Sequence, residues 1–219
     1  MSSNSPYEGL SLDNWKARTE ELIARHPLNP EELVKITLDA WEDIFKSSIG
    51  GFHVGSNIFP KPQIMGFFLQ ELITLKLIAL YPNDWRGDIE ASDKDLVYIP
   101  DHEYSVEIKA SSDPRHVYGN RSYGQLLREE RQDRAKKGKS GYYLAINFEP
   151  FSTTIAQPFP QNVEQPKLLK IRFGWLDHTD WKAQVAATGQ QASILRQSEA
   201  SKLIELYPRN TLGLWSAPL

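Results

Sequence analysis

Residues 94–111 constrain the fold more than any other stretch, because there the hydrophobic period drops to two. Residues 94–100 (KDLVYIP) form a β-run, Pro100-Asp101-His102-Glu103 is a turn signal, and residues 104–111 (YSVEIKAS) alternate strictly. On that second strand Tyr104, Val106, Ile108 and Ala110 share one face, and Ser105, Glu107 and Lys109 share the other. A hairpin of this kind has to be built into a sheet, and the segments around it supply the other layers.

Residues 13–25 and 30–47 read as amphipathic helices, with Trp15, Leu22 and Ile23 in the first and Leu33, Ile36, Leu38, Trp41 and Phe45 in the second. Asn29-Pro30-Glu31-Glu32 starts the second with a capping Asn, Pro at the first helical position and acids in the first turn. Gly50-Gly51 ends the pair, and a Gly-, Ser- and Asn-rich loop follows. Residues 63–80 are apolar nearly all round, which predicts a buried central helix. Residues 141–148 and 168–176 read as strands, and residues 119–137 and 190–206 as helices. The order predicts an α/β (α+β) fold, a mixed sheet with helices packed on it. At 219 residues the chain suits a single domain over 1–219. Its expected parts are an N-terminal helical region (1–50), a core (60–180) and a C-terminal helix and tail (181–219).

Composition excludes several classes. With no Cys there is no disulfide, thiolate nucleophile or sulfur-bound zinc. The five His at 26, 53, 102, 116 and 178 offer no HxxxH pair. The N-terminus lacks a basic-then-apolar signal, and no apolar run is expected to reach membrane-spanning length. A soluble, cytoplasmic protein with no membrane partner and no organic cofactor is expected. The net charge is -3, but residues 1–60 hold 5 basic and 9 acidic groups, so the remainder is 20 against 19. Within that remainder residues 128–139 hold six basic and three acidic groups. A carboxylate-rich enzyme that binds divalent metal and then DNA has this distribution; so has a protein with a solvated basic helix end.

The chemistry concentrates between residues 95 and 109. Glu107 and Lys109 stand about 7 Å apart on one strand face. A turn centred near Asp101–His102 puts Asp95 roughly opposite residues 108–109, so two carboxylates and a lysine converge. Hard divalent cations take such oxygen ligands, and the lysine can orient an attacking water. Pro100-Asp101 is a decoy at the hairpin tip, too far from Glu107 to share a metal; Asp88, Glu90 and Asp93 are fallbacks for Asp95. The alternative is a surface hairpin with a cross-strand ion pair. Glu71, inside the apolar helix where an unpaired carboxylate is costly to bury, is a third metal ligand or else pairs with Lys76 or lies on an exposed stripe.

Residues 115–125 (RHVYGNRSYGQ) follow directly. Arg115, Asn120, Arg121, Ser122 and Gln125 have donors and acceptors suited to bases and phosphates, and Tyr118 and Tyr123 can stack or touch backbone. His116 is expected to be a loop side chain. Lys182, Thr188, Gln190 and Gln191 form an amide-rich start to the last helix, and Gln can bond adenine bidentately. Ser56, Asn57 and Lys61, in the loop before the apolar helix, complete the candidate DNA contacts. Solvated loops and helix ends are the plain alternative at each place.

The segments DKDLVYIPDHEYSVEIKAS, YGNRSYGQ and FGWLDHTDWKAQVAATGQQA, in this order and spacing, resemble the type II restriction endonucleases related to ScaI, over roughly residues 50–195. The resemblance implies a PD-(D/E)xK nuclease core and Mg2+-dependent hydrolysis of both DNA strands, with Mn2+ as a substitute. It implies a short palindromic site, products with 5′-phosphate and 3′-hydroxyl ends, and a homodimer matching the palindrome. Asp95, Glu107 and Lys109 are then catalytic, with Asp95, Glu107 and Glu71 as metal ligands. A structure-specific repair or junction-resolving nuclease of the same core and a sequence-specific DNA-binding protein without cleavage are the alternatives.

Overall fold

The computed structural model describes residues 5–120, 123, 138–152, 163–183 and 191–208. Two helices begin the chain, α1 (Leu12–Ala24) and α2 (Pro30–Lys46). The Asn29 carboxamide oxygen accepts from the Glu31 and Glu32 amides at 2.8 and 3.3 Å, capping α2 as its start signal predicts. One face of α2 buries Leu33, Ile36, Ala40, Trp41 and Ile44. Between the helices His26 is buried among Trp85, Tyr104, Tyr142 and Phe173. Its Nε2–H donates to the Tyr104 carbonyl at 2.9 Å, and its Nδ1 accepts from the Leu28 amide at 3.1 Å. Burial lowers its pKa to about 4, so the ring stays neutral and pins the helical region to the residue that leads into the hairpin's second strand.

The segment after Gly50-Gly51 is more regular than a loop. Strands β1 (Ser48–Ile49) and β2 (Phe52–His53) form a small hairpin. Both turn glycines have positive φ (57° and 84°), the conformation of the tightest hairpin turn. Helix α3 (Pro62–Leu80) follows, then β3 (Trp85–Gly87), β4 (Leu96–Tyr98), a 3₁₀ turn (His102–Tyr104) and β5 (Val106–Ser111). After β6 (Tyr118–Asn120) come β7 (Gly141–Phe148), β8 (Leu168–Leu176), β9 (Trp181–Ala183), β10 (Gln191–Ile194), α4 (Arg196–Lys202) and β11 (Leu203–Tyr207).

Six strands form the main sheet in the order β11-β8-β7-β5-β4-β3. Among the described residues of this sheet, only β5 and β7 run parallel. Alternation along β5 and β7 separates two apolar clusters. Val106, Ile108, Tyr142, Leu144, Ile146 and Phe148 join the large core under α1, α2 and α3. Tyr143 and Ala145 join a smaller one on the opposite face with Tyr123, Trp181, Ala192 and Ile194.

Four sequence expectations are corrected here. Helix α3 is not buried all round: Met65, Leu69, Ile73 and Leu77 face the core, while Ile64, Phe67 and Leu75 are about half exposed. By length and composition alone α3 could cross a membrane, contrary to the reading that no run is long enough. Its buried face nevertheless packs in the core, and its Lys76 pairs with Asp43 on α2 at 2.5 Å. The helix expected over 119–137 begins instead in strand β6; residues 121, 122 and 124–137 lie outside the described residues. The helix expected over 190–206 is strand, short helix and strand: Ala192 and Ile194 alternate into buried positions on β10, and Leu203 and Ile204 are buried on β11, where sheet pairing satisfies the backbone. Strand β3, absent from the sequence reading, is only three residues long and carries little periodicity.

Candidate active site and nucleic-acid face

Glu107 and Lys109 lie on β5, one register step apart, beside Tyr143 and Ala145 of β7, and thus on the face of the smaller cluster. Lys109 Nζ donates to Glu107 Oε1 at 2.5 Å. Glu107 is 1% exposed, whereas the Lys109 side chain is 18% exposed, so the site is approached from the lysine's side. A carboxylate this deep needs donors, and a second one reaches the same oxygen: the Tyr123 hydroxyl, at 2.8 Å.

Asp95 is brought to this pair, through a register slightly different from the one expected. Leu96 pairs with Val106, so continuing the ladder sets Asp95 opposite Glu107, not residues 108–109. Both residues of the pair are buried, and that fixes the register. Directly opposed side chains share a face, with Cβ atoms about 5 Å apart. Because β4 is short, the Ile108 amide has no strand partner on that side; the Asp95 carboxylate accepts from it at 2.7 Å. Burial and the charges of Glu107 and Asp95 together raise the pKa of both Tyr123 and Tyr143, so these phenols stay protonated and able to donate.

Glu71 does not join them. It is exposed, about 200° round α3 from Leu69 and Ile73. The helix also packs on the other face of the sheet: a Cβ at Gly66 would lie 3.4 Å from the Ala110 Cβ. The apolar sequence suggested burial, but a stripe of this helix is open, and Lys76 is engaged by Asp43. The fallback acids have other places. Asp93 accepts from Arg86 Nη1 at 2.6 Å and from the Ile89 and Glu90 amides, closing the β3–β4 turn; the Arg86 guanidinium is the main cause of its lowered pKa. Asp88 and Glu90 are exposed. Asp101 caps the 3₁₀ turn through the Glu103 amide, as a hairpin-tip residue should.

Among the described residues, no group of three or more His, Asp or Glu gathers as a metal cluster. Two hard carboxylates on neighbouring strands nevertheless suit Mg2+. That ion is usually held by one or two carboxylates, with water and substrate phosphate completing its shell.

Beside the acids stands a second, three-stranded sheet in the order β6-β10-β9. Gln191 pairs with Asn120, and Ser193 pairs with both Tyr118 and Lys182. Opposed and alternate residues share a face, so Tyr118, Asn120, Lys182, Gln191 and Ser193 all point one way. Asn120, Lys182 and Gln191 are exposed, and Tyr118 and Ser193 are half-buried. The back of the sheet, Gly119, Trp181, Ala192 and Ile194, is buried. Four residues predicted as DNA contacts thus converge on one open face, and Ser193 joins them unforeseen. Arg121, Ser122, Gln125, Thr188 and Gln190 lie outside the described residues.

The loop feeding β6 is fixed from below. Asp113 accepts from the Arg115 and His116 amides, and Arg172 Nη2 donates to the Arg115 carbonyl at 3.2 Å. Buried Arg172 also donates to Glu199 Oε1 and Asn147 Oδ1, and His116 Nδ1 lies 2.7 Å from Glu199 Oε2. The Arg115 side chain remains exposed, and His116 is a loop side chain as expected. Ser56, Asn57 and Lys61 lie on the segment before α3: Asn57 Oδ1 closes its own turn on the His53 amide, and exposed Lys61 precedes α3. Tyr123, expected to meet DNA, lies instead beneath the small sheet, edge-on to Trp181 with ring centroids 4.8 Å apart.

Comparison with known proteins adds three findings. The family model described as "ScaI restriction endonuclease" matches residues 5–207. The type II restriction enzyme ScaI of Streptomyces caespitosus is 44% identical over 206 residues, covering 94% of this chain and 86% of that one. No solved structure matches.

Proposed function

This chain belongs to the ScaI restriction endonuclease family, and on that premise we propose that Asp95, Glu107 and Lys109 are the groups with which it cuts DNA. It is a type II restriction endonuclease, cleaving DNA at a specific site. The observation that carries the proposal is the pairing of buried Glu107 with Lys109 on one face of β5, with the Asp95 carboxylate bonded to the intervening Ile108 amide. The order α3, three antiparallel strands, then a strand parallel to the third supports a PD-(D/E)xK core, with residues 1–219 acting as one unit.

Asp95 and Glu107 would hold Mg2+, which when bound supplies positive charge at the scissile phosphate and a more acidic water. Lys109, the most accessible of the three, donates to the attacking water and holds it for in-line attack on phosphorus. Its ammonium also offsets the negative charge that grows on the phosphoryl oxygens. The P–O3′ bond breaks, leaving a 5′-phosphate and a 3′-hydroxyl. Tyr118, Asn120, Lys182, Gln191 and Arg115 present amide, hydroxyl and cationic groups to base edges and phosphates. One such site per chain fits a homodimer that cuts the two strands of a palindrome symmetrically in the cytoplasm.

A digest of plasmid DNA followed by end sequencing tests this. Discrete fragments should form with Mg2+ and with Mn2+, none with EDTA, and every end should carry a 5′-phosphate within a palindrome. Cleavage that persists in EDTA would overturn the metal role, and an asymmetric site would overturn the symmetric dimer.

A further inference from the structure

We propose that Tyr123 is a positioning residue that ties the DNA-reading sheet to the metal-binding carboxylate Glu107. The inference rests on the reading of Glu107 and Lys109 as catalytic and extends it to a residue outside that trio.

Lys109 and the Tyr123 hydroxyl donate to the same Glu107 oxygen, Oε1, at 2.5 and 2.8 Å. Their prospects differ once DNA is bound. Lys109 is flexible and partly exposed, and its three N–H donors are shared between the carboxylate, the water and the phosphate. Tyr123 is 7% exposed and has one hydroxyl on a ring locked by packing, so it stays. Lys109 Nζ lies 5.4 Å from the centre of that ring, close enough for the aromatic face to steady the ammonium as it shifts. Tyr123 therefore keeps Glu107 aimed while the lysine works. Hydrogen bonds to a ligating carboxylate govern metal affinity in this way, and their loss costs about 10- to 100-fold.

The ring's own position is set by the small sheet. Trp181 of β9 packs against it, and Gly119 of β6 lies so near that a Cβ there would be 2.9 Å from Tyr123 Cγ and 3.0 Å from Trp181 Cζ3. Gly119 and Trp181 form the back of the surface whose front carries Tyr118, Asn120, Lys182 and Gln191. A displacement of that sheet by DNA is passed through Gly119 and Trp181 to the ring, and from the ring's hydroxyl to Glu107.

The test is direct Mn2+ binding, read as the electron paramagnetic resonance of free Mn2+, to the full-length protein on its cognate duplex. Tyr123→Phe keeps the ring and removes the hydroxyl. Its Mn2+ affinity should fall about 10- to 100-fold, the Mg2+ concentration for half-maximal cleavage should rise in parallel, and duplex affinity in EDTA should not change. Gly119→Ala, which alters no group at the phosphate, should weaken Mn2+ binding in the same direction. Unchanged Mn2+ affinity in Tyr123→Phe, beside a clear loss in Glu107→Ala, overturns the role of Tyr123 alone. Unchanged affinity in Glu107→Ala overturns the metal site beneath it. A normal Gly119→Ala beside an impaired Tyr123→Phe overturns the link to the sheet.

Discussion

Lys109→Ala should slow DNA cleavage by about 10²- to 10³-fold, the range lost when a preorganised donor to developing charge is removed, and leave binding of the same duplex in EDTA unchanged. The lysine is the one member of the trio with substantial access from outside, and its ammonium is bonded to Glu107. Its stem stands on β5 beside Ala145, so truncation empties a partly exposed place and leaves the strand pairing intact. Glu107→Gln should cost at least as much, since it removes a metal ligand's charge while keeping its shape. Single-turnover cleavage with saturating protein, beside a gel shift in EDTA, separates chemistry from binding. Either variant cutting within a few-fold of the parent would remove it from the site.

Lys202→Ala should destabilise the protein by about 3–5 kcal/mol, the cost of breaking a buried ion cluster by deleting one partner. Lys202 Nζ is 2.8 Å from Asp177 Oδ2 and 2.9 Å from Asp180 Oδ2, and the residue is 3% exposed. Ser5 and Ser198 donate to the same carboxylates, and the ammonium lies 4.2 and 4.3 Å from the Tyr7 and Trp15 ring centres. One cation therefore joins the N-terminal segment, the turn after β8, and α4. Without it two carboxylates face each other in a buried place. The expected loss is a large share of an ordinary domain's stability, and urea unfolding measures it. A change below about 1 kcal/mol would mean that the carboxylates find other compensation.

The readable parts of this fold were the local ones. Strict alternation in residues 104–111 gave β5 and the face of Glu107 and Lys109, and the Asn29-Pro30 signal gave α2 to within one residue. The partner of Asp95 was off by one to two residues because the β4–β5 connection contains a 3₁₀ turn, which a count from the turn centre does not include. Glu71 misled because apolar composition does not reveal which side of a helix remains uncovered; that depends on tertiary neighbours. The small sheet was illegible for a different reason. Its strands are three or four residues long, and β6 pairs with β10 across more than 70 positions of sequence, so no window holds its pattern. Tyr123 was assigned to DNA for the same reason, since a tyrosine in a polar stretch looks like a surface group until its hydroxyl is seen on Glu107. The Lys202 cluster likewise has no local signature.

The most direct test of the central claim concerns Asp95, because its carboxylate already has a structural task in capping the Ile108 amide. Asp95→Asn keeps an oxygen for that hydrogen bond and removes only the charge a cation needs. Mn2+ titrated onto the variant bound to its cognate duplex should bind at least about 10-fold more weakly than to the parent, with urea unfolding unchanged and cleavage largely lost. Equal Mn2+ affinity and equal cleavage would show that Asp95 is a backbone cap and that the metal is held elsewhere.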